Sequence, residues 1–297
     1  MVMEWYIFAF LAPAFWALNN VFIKFLITNK FKSYFPTIAT ITSFDAIFAI
    51  TIMMLTPIAF YFPYSLLALA AGLIPLTAFW FYSKAILLEE VSRIVTLFQL
   101  IPVFVAILSV TFLGEVLGAQ KYLAIGLIVL ASTLISYRRS GEKNISNAVK
   151  FMIPFALMIA IYTIVDKSLL SYLDFWSLFF WNILGTFLGV LTLLSRSSLR
   201  RTFVSTFLSI GKKAILVTFV GEGMYVAGTI SSLVALSLVD APVASAFFGL
   251  QPFYVFFYIL FLSIFLPNIL KEEIKKSVII LKIAAIALMF VGTWLII

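Results

Sequence analysis

The chain has 297 residues, of which 64% are hydrophobic and only 11% charged, with a mean hydropathy of +1.17. A soluble domain carries roughly a quarter charged residues, so that class is excluded. The net charge of +8 does not point to nucleic acid, because the lysines and arginines sit in short connectors between apolar runs. With neither cysteine nor histidine, disulfides, thiolate chemistry and the commonest metal ligand are excluded together, and no metal or other cofactor is expected.

Apolar runs of about 20 residues, long enough to cross a hydrocarbon core of ~30 Å, fill almost the whole length. In chain order they predict ten spans, over 5–27, 37–60, 66–88, 94–113, 120–137, 149–170, 175–194, 214–239, 243–266 and 278–297. The N-terminal Met1-Val2-Met3-Glu4 has no basic n-region or small-residue cleavage site, so the first run reads as a spanning helix. No run alternates like a barrel strand, and helices alone then satisfy the backbone in lipid. The expected fold is all-α, an integral multi-pass membrane protein. The most polar stretch, Ser136-Tyr137-Arg138-Arg139-Ser140-Gly141-Glu142-Lys143-Asn144, separates five spans from five.

The two halves echo each other. Tyr82-Ser83-Lys84-Ala85, running on to Pro102, recurs 150 residues later as Ser232-Leu233-Val234-Ala235, running on to Pro252. Earlier in each half, Ala17-Leu18-Asn19-Asn20 through Lys24 matches Ala160-Ile161-Tyr162-Thr163 through Lys167. An odd number of crossings per half turns the second copy upside down, so residues 1–140 and 141–297 are expected to form two inverted five-helix repeats. Such duplications build carriers that open to either side. The connectors after the odd-numbered spans, with adjoining helix ends, hold 18 of the 20 basic residues, leaving Lys121 and Lys167 for the other side. That bias puts both termini on the non-cytoplasmic side, with the plasma membrane as the expected location.

These residues resemble the drug/metabolite transporter superfamily, and within it the EamA-type ten-helix carriers. The matching pieces are Phe15-Trp16-Ala17-Leu18-Asn19-Asn20 with Lys24, the Tyr82–Ala85 stretch leading through Ser92 to Pro102, and Gly114-Glu115 followed by Gln120 and Gly126. The second half keeps Ala235, Pro252 and Gly292, but has Phe265-Leu266-Pro267 where the Gly-Glu pair would fall, with Glu272 and Glu273 matching only across a gap. The resemblance implies a carrier of small organic solutes and leaves the solute open. Many members have an arginine about eight residues after the proline equivalent to Pro36; here Ser43-Phe44-Asp45 stands there, which argues against an anionic substrate. The family arrangement implies cytoplasmic termini, against the charge bias of this chain, whose own lysines and arginines are followed here.

An ionised carboxylate in hydrocarbon costs several kcal/mol, so Asp45, near the middle of its span, and Glu222, in Gly221-Glu222-Gly223-Met224-Tyr225, are site candidates. Each is expected to bind a proton or a cationic part of a substrate, or to be satisfied by a neighbouring hydroxyl or amide. The glycines around Glu222, with Gly228, and the matching Gly72 with Pro75 suggest a symmetric pair of broken or bent walls, though both residue types are common in membrane helices. Asn19, Asn20 and Asn182 are buried amides that either join helices or touch a solute. Trp16, Trp80, Tyr82, Trp181 and Tyr225 are aromatics that line a cavity or serve as packing, and Gln99 and Gln251 precede the repeat-related prolines. Lys24 and Lys167 are expected to snorkel, or Lys167 to pair with Asp166. Glu115 is expected to cap the next helix or pair with Lys121. Glu89, Glu90 and Arg93 read as a solvated connector. The cluster Arg196, Arg200, Arg201, Lys212 and Lys213 reads as headgroup-facing.

Together these features predict a monomeric secondary carrier in the lipid bilayer. It would move a small-molecule substrate, with or without protons, through a cavity lined by spans 1 to 4 and 6 to 9. Nothing resembles a P-loop, and an intramembrane lipid enzyme would need a constellation that the chain lacks at helical spacing. A receptor or structural protein would have no evident use for an inverted duplication.

Overall fold

The structure is a computed structural model that describes residues 5–29, 34–86, 88, 97–136, 148–265 and 276–296. The expected connector Glu89, Glu90 and Arg93, most of the midpoint joint (137–144), Glu272, Glu273 and the Lys24 side chain lie outside the described residues. All regular structure among the described residues is α-helical. The first half gives α1 (Trp5–Asn29), α2 (Tyr34–Leu55), α3 (Tyr64–Ala71), α4 (Leu73–Ile86), α5 (Leu100–Phe112) and α6 (Ala119–Ser136). The second half gives α7 (Val149–Leu169), α8 (Phe175–Leu194), α9 (Ser197–Ser209), α10 (Lys212–Leu238), α11 (Ala241–Phe248), α12 (Gln251–Phe265) and α13 (Lys276–Ile296).

Among the described residues, six stretches are long and apolar enough to cross a bilayer: Trp5–Ile23, Phe35–Leu55, Tyr64–Ala85, Val149–Leu169, Phe175–Leu194 and Lys212–Leu238. Leu100–Phe112 and Ala119–Ala131 are shorter apolar helices. The chain is an integral, multi-pass helical membrane protein, since helices that keep every backbone group paired are what such a sequence can form in lipid.

Three details differ from the sequence reading. The span expected over 66–88 is divided at Gly72, and the one expected over 243–266 is divided between Phe248 and Gln251. The connector expected between 194 and 214 is itself a helix, α9, with no buried residue, resting on α2 and α8. The expected symmetry of broken walls fails as well, because α10 runs unbroken past Glu222 while its counterpart is split into α3 and α4. Pro75 supplies the difference: it removes one helix-forming N–H beside Gly72, and α10 contains no proline.

Packing is largely between the halves. α1 lies along α10, α4 and α5 lie against α7, α2 and α3 against α8, α5 against α11, and α6 against α13. Small residues set how close these helices come. A Cβ on Gly228 would sit 2.7 Å from Trp16 Cδ1, and one on Gly221 would sit 3.1 Å from Phe22 Cβ, so the glycines of α10 seat α1. A Cβ on Gly72 would strike the Asn182 backbone, and one on Gly185 would strike that of Leu69, so the α3–α4 break is pressed directly onto α8. The Thr186 hydroxyl donates to the Gly72 carbonyl at 2.6 Å across this contact. Glycines expected to loosen a helix or leave room for a solute instead bring backbones together.

Candidate functional site

The helices enclose a cavity of about 290 Å³, at the small end of ligand-binding cavities. Its walls come from α1, α2, α4, α5, α7, α8, α10, α11 and α12, while α6 and α13 contribute no lining residue. Those two pack on each other, outside the lining shell.

On one side, α1, α2 and α10 bring Asn19, Asp45 and Glu222 together. All three are buried, with Glu222 1% and Asp45 4% exposed. Asn19 Nδ2 donates to the Gly221 carbonyl at 2.8 Å and to Glu222 Oε1 at 3.3 Å, which the close seat of α1 on Gly221 permits. The Asp45 and Glu222 carboxyl groups are neighbours in the cavity wall. A carboxylate is an acceptor only, so a hydrogen bond between the two needs one proton held by the pair. No pair of carboxylates at helical spacing was available in the sequence; this one forms across two helices.

On another side, α7 and α8 build a second acidic group. Asn182 Nδ2 donates to Asp166 Oδ1 at 2.9 Å and to the Tyr162 hydroxyl at 3.0 Å. Asp166 is 2% exposed and lines the cavity. Tyr225 of α10 lines the space that the acidic groups share, and Trp16 Nε1 donates to the Thr229 hydroxyl at 3.4 Å. Elsewhere the wall is apolar and aromatic. Tyr82, Phe98 and Phe155 pack ring to ring at 5.3–5.6 Å, and Trp16 meets Phe248 at 5.4 Å. Among the described residues, three carboxyl groups and no lysine or arginine line the cavity.

Most sequence-predicted site residues converge here: Asn19, Asn20, Asp45, Tyr82, Asn182, Glu222, Tyr225 and Gln251 all line the cavity. Two do not. Trp80 is 42% exposed and turned away from the cavity, with Lys84 Nζ 5.7 Å from its ring. Gln99 is buried just behind the lining, donating to the Gly249 carbonyl at 2.8 Å. Of the other aromatics, Trp181 ties its indole N–H to the Ala59 carbonyl and stays outside the lining. Asp166, Tyr162, Thr42, Thr186 and Thr229 are lining residues that the sequence did not single out for a site.

At one end of the bundle a separate set of charges is fully paired. Gly114 (φ +67°) ends α5 in a left-handed turn, the conformation that favours glycine. The turn brings Glu115 back to accept from Ser109 Oγ and, at 3.0 Å, from the Ala241 N–H at the start of α11. Lys167 does not pair with Asp166. Its ammonium donates to the Leu236 and Val239 carbonyls at 2.7 and 2.8 Å, where α10 ends, and lies 3.9 Å from Glu115. Lys121 pairs with Asp240 at 3.5 Å rather than with Glu115. A cation at a helix C-terminus and a carboxylate at the next N-terminus complement the orphan carbonyls and N–H groups there. Lys121 and Lys167 are the two basic residues assigned by sequence to the basic-poor side, and each holds an acid at this same end.

In comparisons with known proteins, residues 3–137 match the family model described as EamA-like transporter family. No curated protein matches the chain significantly. Among solved structures, one described only as a crystal structure of a protein superposes on 97% of this chain and 94% of its own, with a TM-score of 0.71 and 14% identity. At that identity the likeness establishes the fold alone. The Asn19 that holds Glu222 and the Gly114-Glu115 turn that closes one end both lie inside the segment, residues 3–137, that is similar to the EamA-like transporter family.

Proposed function

We propose that this protein is a secondary active or facilitative transporter that moves a small organic solute, of the amino acid, amine or drug-like kind, by alternating access. The observation that carries the reading is a largely apolar cavity, furnished with three buried carboxyl groups, inside a bundle otherwise built for lipid. Polar groups at that depth are costly unless they serve a solute or ion path.

The ten crossings form two inverted five-helix repeats, 1–140 and 141–297, working as a monomer. Packing supports this. Exchanging the halves turns the α1–α10 contact into the α7 contact with α3 and α4, and returns α2–α8 and α6–α13 to themselves. Gln99 touches Gly249, its own counterpart 150 residues on, as residues astride a pseudo-two-fold axis do. The Asp45–Glu222 pair holds the coupling proton, and both termini lie outside the cytoplasm of a plasma membrane. The cavity catalyses no reaction.

Uptake into proteoliposomes of a panel of amino acids, amines and sugar phosphates, with and without a pH gradient, tests the reading. Saturable flux of at least one solute is expected. Absence of flux for every class in both gradient orientations would contradict it. Single cysteines at Ser140 and Ser197, in a chain without others, test the orientation: labelling from outside intact cells by an impermeant thiol reagent would reverse it.

A further inference from the structure

Five buried side-chain atoms among the described residues have no hydrogen-bond partner: Thr42 Oγ1, Asp45 Oδ1, Gln99 Oε1, Asn182 Oδ1 and Thr293 Oγ1. All are oxygens, and Thr42, Asp45 and Asn182 line the cavity at 1%, 4% and 2% exposure. Thr42 and Asp45 stand one turn apart on α2, and Asn182 comes from α8, the helix packed against it. The orientation of the Asn182 amide is set by its neighbour. The Asp166 carboxylate takes the Nδ2 donor, which leaves Oδ1 free. Of the nitrogen donors near these oxygens, Asn19 Nδ2 is spent on Gly221 and Glu222, Asn182 Nδ2 on Asp166 and Tyr162, and Trp16 Nε1 on Thr229. Three buried oxygens of the cavity wall are therefore left to receive donors from a solute.

We infer that Thr42, Asp45 and Asn182 form the head-group site for an organic cation rich in N–H, a primary ammonium or a guanidinium, carried on a small apolar body. This rests on the transport reading above and narrows its solute. A primary ammonium brings three donors, one for each free oxygen, and a guanidinium brings five. Phe79, Phe155 and Phe179 supply apolar and ring surface for the body. A carboxylate on the solute, as in an amino acid, would enter among Asp45, Asp166 and Glu222 with no lining cation to pair it. A quaternary ammonium keeps the charge but has no hydrogen to give, so it forfeits the three contacts.

Calorimetric titration of the purified full-length protein in lipid nanodiscs tests this with four probes: phenethylamine, its N,N,N-trimethyl analogue, phenylalanine and 3-phenylpropionate. Phenethylamine is expected to bind saturably, the trimethyl analogue at least about tenfold more weakly, and the two carboxylates not at all, since hydrogen bonds to a charged group are worth about tenfold or more each. Thr42→Val is expected to weaken phenethylamine about tenfold and leave the trimethyl analogue unmoved. Asn182→Ala provides a second version of that comparison should the first variant fold poorly. Equal binding of the amine and its trimethyl analogue, binding of either carboxylate, or no binding of phenethylamine would overturn the inference. Amine binding without counterflow in proteoliposomes sinks the transport reading alone. Counterflow of an anion without amine binding sinks this inference alone.

Discussion

Two regions of the molecule hold buried or half-buried carboxyl groups, and they treat them oppositely. At the end of the bundle, Glu115 and Asp240 each have a lysine within 4 Å, and Glu115 also caps a helix. In the cavity, Asp45, Asp166 and Glu222 are more deeply buried and have no lysine or arginine beside them among the lining residues. The first arrangement is how a protein pairs acids to hold two halves in register. The second leaves acceptor capacity open, which makes sense only if a proton or a visiting solute fills it.

That contrast is broken most sharply by removing the cavity acids. Glu222→Gln combined with Asp45→Asn is expected to cut pH-driven flux by about a hundredfold or more, while the purified variant keeps its melting temperature, because the charges serve transport rather than packing. Proteoliposome uptake with and without a pH gradient reads the effect, and unchanged pH-dependent flux would refute the coupling role. Gly185→Val tests the frame instead. Its side chain meets the Leu69 backbone, and a loss of about 3 kcal/mol or more is expected, read as a lowered melting temperature in detergent.

The paired end is expected to respond in stability more than in ligand binding. Lys167→Met leaves two carbonyls and Glu115 without their partner, and a loss of about 2 kcal/mol is expected in the same melting assay, with solute affinity unchanged. Lys121→Ala opens the Lys121–Asp240 pair, whose side chains are 42% and 40% exposed, and about 1 kcal/mol at most is expected, shrinking further in high salt. Trp80→Ala is the smallest change: its ring faces away from the cavity, and flux within about twofold of the parent is expected.

How far the sequence carried the site follows from what makes a residue conspicuous in a membrane. Asp45, Glu222, Asn19 and Asn182 stood out because a polar group in an apolar run demands a partner, and all four line the cavity. Asp166 did not, because it sits beside Lys167 near a helix end, where neighbouring opposite charges suggest a pair. Adjacent residues on a helix point about a quarter-turn or more apart, so Asp166 faces the cavity while Lys167 reaches the end of α10. The threonines were silent because a hydroxyl in a membrane helix commonly bonds its own backbone, as Thr186 does to the Asn182 carbonyl. Trp80 and Tyr82 lie two residues apart in one apolar helix, and only the packing of α4 on α7 decides which of them turns inward. Lipid and protein interior are equally apolar, so hydropathy alone does not orient a helix about its axis.

The proposal at the centre is alternating access, which requires the two halves to part and rejoin at one end of the bundle as the cavity acids are loaded. Spin labels on cysteines at Val116 and Leu238, exposed positions on the two halves at that end, measure it by pulsed electron resonance distances in nanodiscs. Two distance populations are expected, their ratio shifting with pH and with bound solute in the parent and frozen in Glu222→Gln. A single distribution, unmoved by pH, solute or the substitution, would contradict the account.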